Sequence, residues 1–311
     1  MSAGASLLNV LSWVLIVYTL GYPIGLVSDT VDTNIGPYNY VPTQWICIMF
    51  LALFGVSIAL HLFESLVFRM WWLIPTVILA GLLEVLGWSA RLWSSINPSL
   101  LTPYEIQLVG TIVAPTPFIA ANFLVLGKII IRFGPQYSRL PPKLYTILFC
   151  SFDVICLVIQ AVGGAIAASE ASQNVSATEG GNIMLGGIVI QMVSMVIYVI
   201  CAGEFFLRLR YNSPIREKNS TLAAEDKQVT QWNRVRWLVL GLVIQTTCLF
   251  IRSVYRTIEL SNGWNGPIIS NEVYFNVFDG AMMTIAFFAS NGFHPGFFFK
   301  NDHRVSSNGD A

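Results

Sequence analysis

Glu84 and Arg91 stand seven residues apart, Asp153 and Gln160 repeat that spacing, and Arg252, Arg256 and Glu259 follow at intervals of four and three. On a helix each set shares a face. Tyr255 lies in the third cluster, and Gln191, Asp279, Asn291 and His294-Pro295 sit in similarly apolar surroundings. Carboxylates and guanidiniums placed this way can pair with one another or hold the charged end of a ligand. The central set counts three arginines against four carboxylates, Glu84, Asp153, Glu259 and Asp279. One acid is therefore in surplus, and it must be protonated, hydrogen-bonded or available to a cation. Glu84 and Asp153 read as lining a polar cavity, whereas Arg256 with Glu259 fits an internal staple equally well.

These charges are notable because of what surrounds them. The chain is 55% hydrophobic and only 11% charged, with a mean hydropathy of +0.64. A bilayer core demands roughly 20 apolar residues per helical span. Seven windows satisfy this, about 44–64, 72–93, 106–127, 144–168, 183–206, 237–257 and 273–299. Without water, backbone groups must bond within their own segment, and the apolar pattern does not alternate as a β-barrel would. The predicted fold is all-α, a polytopic membrane bundle of seven helices. A charge at the centre of such a helix costs at least about 2.5–3.5 kcal/mol on insertion scales. The acids and arginines are therefore expected to turn inward and meet.

Orientation follows from the remaining basic residues. Arg69, Lys128, Arg132, Arg139, Lys143, the seven from Arg208 to Arg236, Lys300 and Arg304 fall in alternate connections and hold 14 of the 17 basic residues. The other three are Arg91, Arg252 and Arg256. The positive-inside rule places the basic connections and the carboxyl terminus in the cytoplasm. The sequon at Asn174 then lies outside, where it can be glycosylated, and the one at Asn219 lies inside and stays unmodified. The domain reading is 1–37 as a hydrophobic segment and outer linker, 38–300 as the seven-helix domain and 301–311 as a cytoplasmic tail. Residues 1–27 fit either a signal segment or an additional span. The loop 208–236 reads as a solvated connector. Gly163-Gly164 and Gly186-Gly187 suit close helix approach.

Other chemistry is harder to find. The five cysteines fall inside spans without disulfide or zinc spacing, so they read as small buried side chains. There is no Walker-type loop. His61 and His294 read singly as helix-end residues. No metal site, cofactor or nucleic-acid partner is expected, and no nucleophile and base pair suggests an enzyme.

The motif Glu84-x-x-Gly87-Trp88-x-x-Arg91 resembles the fungal lipid-translocating exporter family, seven-helix proteins named for resistance to aminocholesterol. Ala114-Pro115 with Ala120-Ala121, Asp153-x6-Gln160-x2-Gly163-Gly164, and Gly186-Gly187 with Gln191 resemble its third, fourth and fifth spans. The most specific match is Arg252-x2-Tyr255-Arg256-x2-Glu259 followed by Gly263, Glu272, Asp279 and His294-Pro295. Trp88, Phe123 and Asn276 depart from the family's usual rings, leaving the charged set intact. The resemblance implies a plasma-membrane or endomembrane protein that exports or flips amphiphiles such as sphingoid long-chain bases, with membrane lipids or amphiphilic small molecules as partners. The head group is then expected near Glu84, Asp153 or Asp279, with the tail in lipid. The alternative is a seven-helix receptor or stress sensor signalling through the loop 208–236.

Overall fold

A computed structural model of the protein describes residues 38–172, 178–215, 223–263 and 266–299. The segment 1–27, both sequons and the tail from residue 300 lie outside them. Among the described residues the chain is helical, with no strand. Seven helices are long and apolar enough to cross a membrane: α1 (Gln44–Phe68), α2 (Trp71–Ile96), α3 (Leu101–Phe133), α4 (Pro142–Ala167), α5 (Thr178–Arg210), α6 (Arg236–Ser261) and α7 (Glu272–Phe298). All seven predicted windows fall within one turn or so of these helices.

The bundle is apolar outside, as an integral membrane protein requires, and inside it a set of charged residues is embedded in a larger apolar core. Trp45, Phe63, Ile131, Ile147 and Ile200 face outward, while Glu84, Arg91, Arg252, Arg256, Glu259 and Asp279 are buried. Consecutive helices pack side by side, and α7 returns to α1, which closes a ring. α3 is the most enclosed helix. Short antiparallel connections put Arg69, Arg139, Arg208 and Arg210 at one end, called the basic end below.

Three departures from regular helix matter. Pro115 lacks an N–H, so α3 breaks into Leu101–Val113 and Pro115–Phe133 at Ala114. A wide i→i+5 turn runs through Asn276–Ala281 in α7 and contains Asp279. The last turn of α7, Pro295–Phe299, restarts after Phe293-His294. The connector 208–236 is shorter than the sequence suggested, because α5 continues to Arg210 and helix resumes at Ala223, ahead of α6. The stretch Ala223-Ala224-Glu225-Asp226-Lys227-Gln228 is rich in strong helix formers, so helix continues past the apolar limit.

Candidate functional site

The site begins with a missing hydrogen bond. Pro115 leaves the carbonyl of Thr111, four residues earlier, without its helical partner. Arg252, reaching from α6, donates Nη2–H to that carbonyl. One turn further, Arg256 donates to the Thr111 hydroxyl at 2.8 Å. Thr111 thus anchors both guanidiniums.

The wide turn in α7 aims Asp279 at the same place. Its carboxylate is shared, Oδ1 with Arg252 and Oδ2 with Arg256 at 2.9 Å. Arg256 also pairs with Glu259 at 2.9 Å, and the Tyr255 hydroxyl donates to the other Glu259 oxygen at 2.7 Å. Two arginines are therefore matched by two acids, and each charge is hydrogen-bonded, which is the condition for keeping ions in a low-dielectric interior.

Glu84 lies close enough to feel Asp279, Arg252 and Arg256. Neither of its oxygens takes part in an ion pair or hydrogen bond, and the nearby Trp88 indole N–H stays outside hydrogen-bond geometry. It is the surplus acid of this set. Asp153, buried in α4, also makes no ion pair, and the charged groups of the Arg252 cluster do not reach it. The inward turn of the charges is observed, but Glu84 and Asp153 are not the partners of the arginines.

Arg91 forms a neighbouring site at the end opposite the basic loops. It donates to the Tyr40 hydroxyl at 2.8 Å and lies 3.6 Å from Glu272. Its guanidinium sits over the rings of Phe275 (4.4 Å), Tyr38 (5.2 Å), Tyr40 (5.5 Å) and Trp88 (5.7 Å). Glu272 in turn accepts from the backbone N–H and hydroxyl of Thr43, tying α7 to the start of α1. Phe275 also meets Arg256, at 5.1 Å, and so joins the two clusters. The aromatic cage was not expected, because Tyr38 and Tyr40 lie outside every apolar window.

Two smaller predictions arise here. Tyr40→Phe removes a charge-assisted bond in a buried site and should lower stability by about 1.5–3 kcal/mol, measured by chemical unfolding in detergent. Burial outweighs the pull of Arg91 and pushes the Tyr38 phenol from its ordinary 10.0 up to about 12. The unfolded chain releases this proton near 10 and the folded one only near 12. The Tyr38 contribution is thus complete below pH 10 and is lost as pH rises through 12. Tyr38→Phe should flatten that alkaline decline.

Beside the arginines lies a narrow, partly open crevice between α3, α4, α5 and α6, with room inside for about one water molecule. Ile112, Pro115, Ile119, Ile188 and Leu249 form its apolar wall. Its polar wall is Gln160, Gln191, Arg252, Ser253 and Arg256. Gln160 donates to Gln191 at 3.0 Å, bridging α4 and α5. Glu84, Asp153 and Asp279 do not line it.

Seven apolar spans around a buried ionic lattice and a small amphipathic crevice define a polytopic helical membrane protein. The chain belongs to the RTA1-like protein family, whose model matches residues 77–302. Among curated proteins it is 28% identical over 303 residues to the sphingoid long-chain base transporter RSB1 of Saccharomyces cerevisiae, covering 91% of this chain and 79% of the relative. Protein RTA1 of the same yeast is 28% identical over 201 residues, covering 64% of this chain and 58% of the relative. Protein RTM1, also from that yeast, is 28% identical over 222 residues, covering 71% and 65%. No solved structure matches the chain.

Proposed function

We propose that this protein moves sphingoid-base-like amphiphiles across the plasma membrane without nucleotide hydrolysis, with its basic end in the cytoplasm. The observation that carries this reading is the crevice, which combines an apolar wall with amides, a hydroxyl and guanidiniums at one site. An amino-diol head group can exchange hydrogen bonds with the Gln160–Gln191 pair while its tail remains in lipid. The arginines add little net charge, because Asp279 and Glu259 already neutralise them. The head group is accordingly assigned to the amide wall, with the acids holding the wall in place. The name of the yeast relative supports the substrate class. The receptor reading takes the polar core as a switch and the inner loop as the docking surface, and helix from Ala223 onward leaves that loop short.

Purified protein in liposomes should move a fluorescent sphingoid base faster than empty liposomes. Gln160→Leu with Gln191→Leu should slow it roughly tenfold, as expected for about 1.4 kcal/mol of lost head-group hydrogen bonding. Deleting residues 212–222 should leave it largely intact. Movement no faster than in empty liposomes would refute the translocase reading and favour the receptor.

A further inference from the structure

Two of the chain's three histidines, His61 of α1 and His294 at the restart of α7, meet at the basic end with Glu64. One ligand atom from each lies within 4.8 Å of the others. His61 Nδ1 is 3.4 Å and His294 Nε2 3.9 Å from the same Glu64 oxygen. Both imidazoles are fully buried, at 0% exposure. Both nitrogens of His61, Oε2 of Glu64 and Nε2 of His294 lack a hydrogen-bond partner. Buried polar atoms are ordinarily satisfied, so three residues that each bring an unpartnered atom to one place need an explanation.

The surroundings hold the rings in place. Phe68 stacks on His294 with centroids 5.4 Å apart, and Phe297 meets its edge at 6.0 Å. Gly296 makes this possible, since a side chain there would run into Phe68 and the His294 ring. We propose that His61, Glu64 and His294 form a binding site for a divalent first-row transition ion of the zinc class. Two imidazoles and one carboxylate suit such an ion, which keeps its remaining position for water. Zinc with ligands at about 2.0–2.2 Å spaces them roughly 3.3–3.5 Å apart in a tetrahedron, so only small inward shifts are needed. Glu64, partly exposed, marks the way in.

One contact responds to loading. The Gly296 N–H donates to His294 Nδ1 at 3.1 Å. Coordination through Nε2 moves the ring proton to Nδ1, which then ceases to accept. The ion clips α1 to α7 across the closure of the ring and releases the Gly296 amide.

The full chain, purified without a histidine tag and stripped by chelator, is titrated with zinc in detergent. The expected result is one zinc per chain, a higher melting temperature, and a visible absorption band from the cobalt-loaded form. Glu64→Gln, which preserves shape, and His61→Ala should weaken binding by more than about 100-fold, beyond the 10- to 100-fold typical of outer-shell partners. His303→Ala in the tail should bind as wild type. The proposal is overturned if stripped wild type gains neither metal nor thermal stability, or if Glu64→Gln binds zinc as tightly as wild type. None of these outcomes depends on amphiphile transport.

Discussion

Asp279→Asn is expected to lower the unfolding free energy by about 3–5 kcal/mol, the cost of leaving a buried charge without its partner. Asp279 is the one acid that touches both Arg252 and Arg256. Glu259 remains for Arg256, but Arg252 keeps only the Thr111 carbonyl, a dipole instead of a charge. Glu84→Gln should cost under about 1 kcal/mol in the wild-type background, because that side chain makes no ion pair or hydrogen bond. On the Asp279→Asn background it should cost more, since Glu84 then acts on Arg252 more strongly than Glu259, the other acid nearby. Chemical unfolding of the four proteins in one detergent gives the cycle. A loss below about 1 kcal/mol for Asp279→Asn would show that the shared carboxylate does not hold α6 to α7.

The spans and the inward turn of the charges were legible because both follow from solvation. Fourteen basic residues mark alternate connections, and the other three have nowhere to go except the interior. The Arg256–Glu259 pair was legible, being three residues apart on one helix, but the acids that Arg91 and Arg252 meet were not, since helical periodicity gives a face and not a tertiary neighbour. Arg91 pairs with Glu272 and aromatic rings instead of Glu84, because Tyr38 and Tyr40 fold back over the end of α2. The acceptor for Arg252 was hidden in Pro115, whose effect appears four residues upstream. His61 and His294 looked ordinary alone, and only ring closure brings them to Glu64. Glycines were half readable: Gly163 and Gly187 do make close approaches, while Gly186 faces open space and Gly180, unremarked in the sequence, faces Gly163.

That last pair underlies the second large effect. A methyl at Gly163 would stand 2.8 Å from the Gly180 carbonyl oxygen and 2.9 Å from Met184 Cα. At Gly180 it would press on the backbone of Ala167 and lie 2.6 Å from the Gly163 carbonyl oxygen. These neighbours are backbone atoms, so no side chain can move aside, and α4 and α5 must separate along the seam. Gly163→Ala should therefore cost about 3 kcal/mol, the upper end of the overpacking range. Gly186→Ala, with nothing within 4 Å of the added atom, should be neutral. Gly187 tests the link to function. A methyl there would lie 2.7 Å from Gln160 Cγ, so Gly187→Ala displaces the side chain that bridges to Gln191 across the crevice wall. It should reduce sphingoid-base movement in liposomes severalfold while costing less stability than Gly163→Ala, because its nearest backbone atom, the Cys156 carbonyl oxygen, is 3.0 Å away, whereas at Gly163 three backbone atoms lie within 2.9 Å. Equal stability losses at 163, 186 and 187 would mean that the α4–α5 seam is not held by backbone approach.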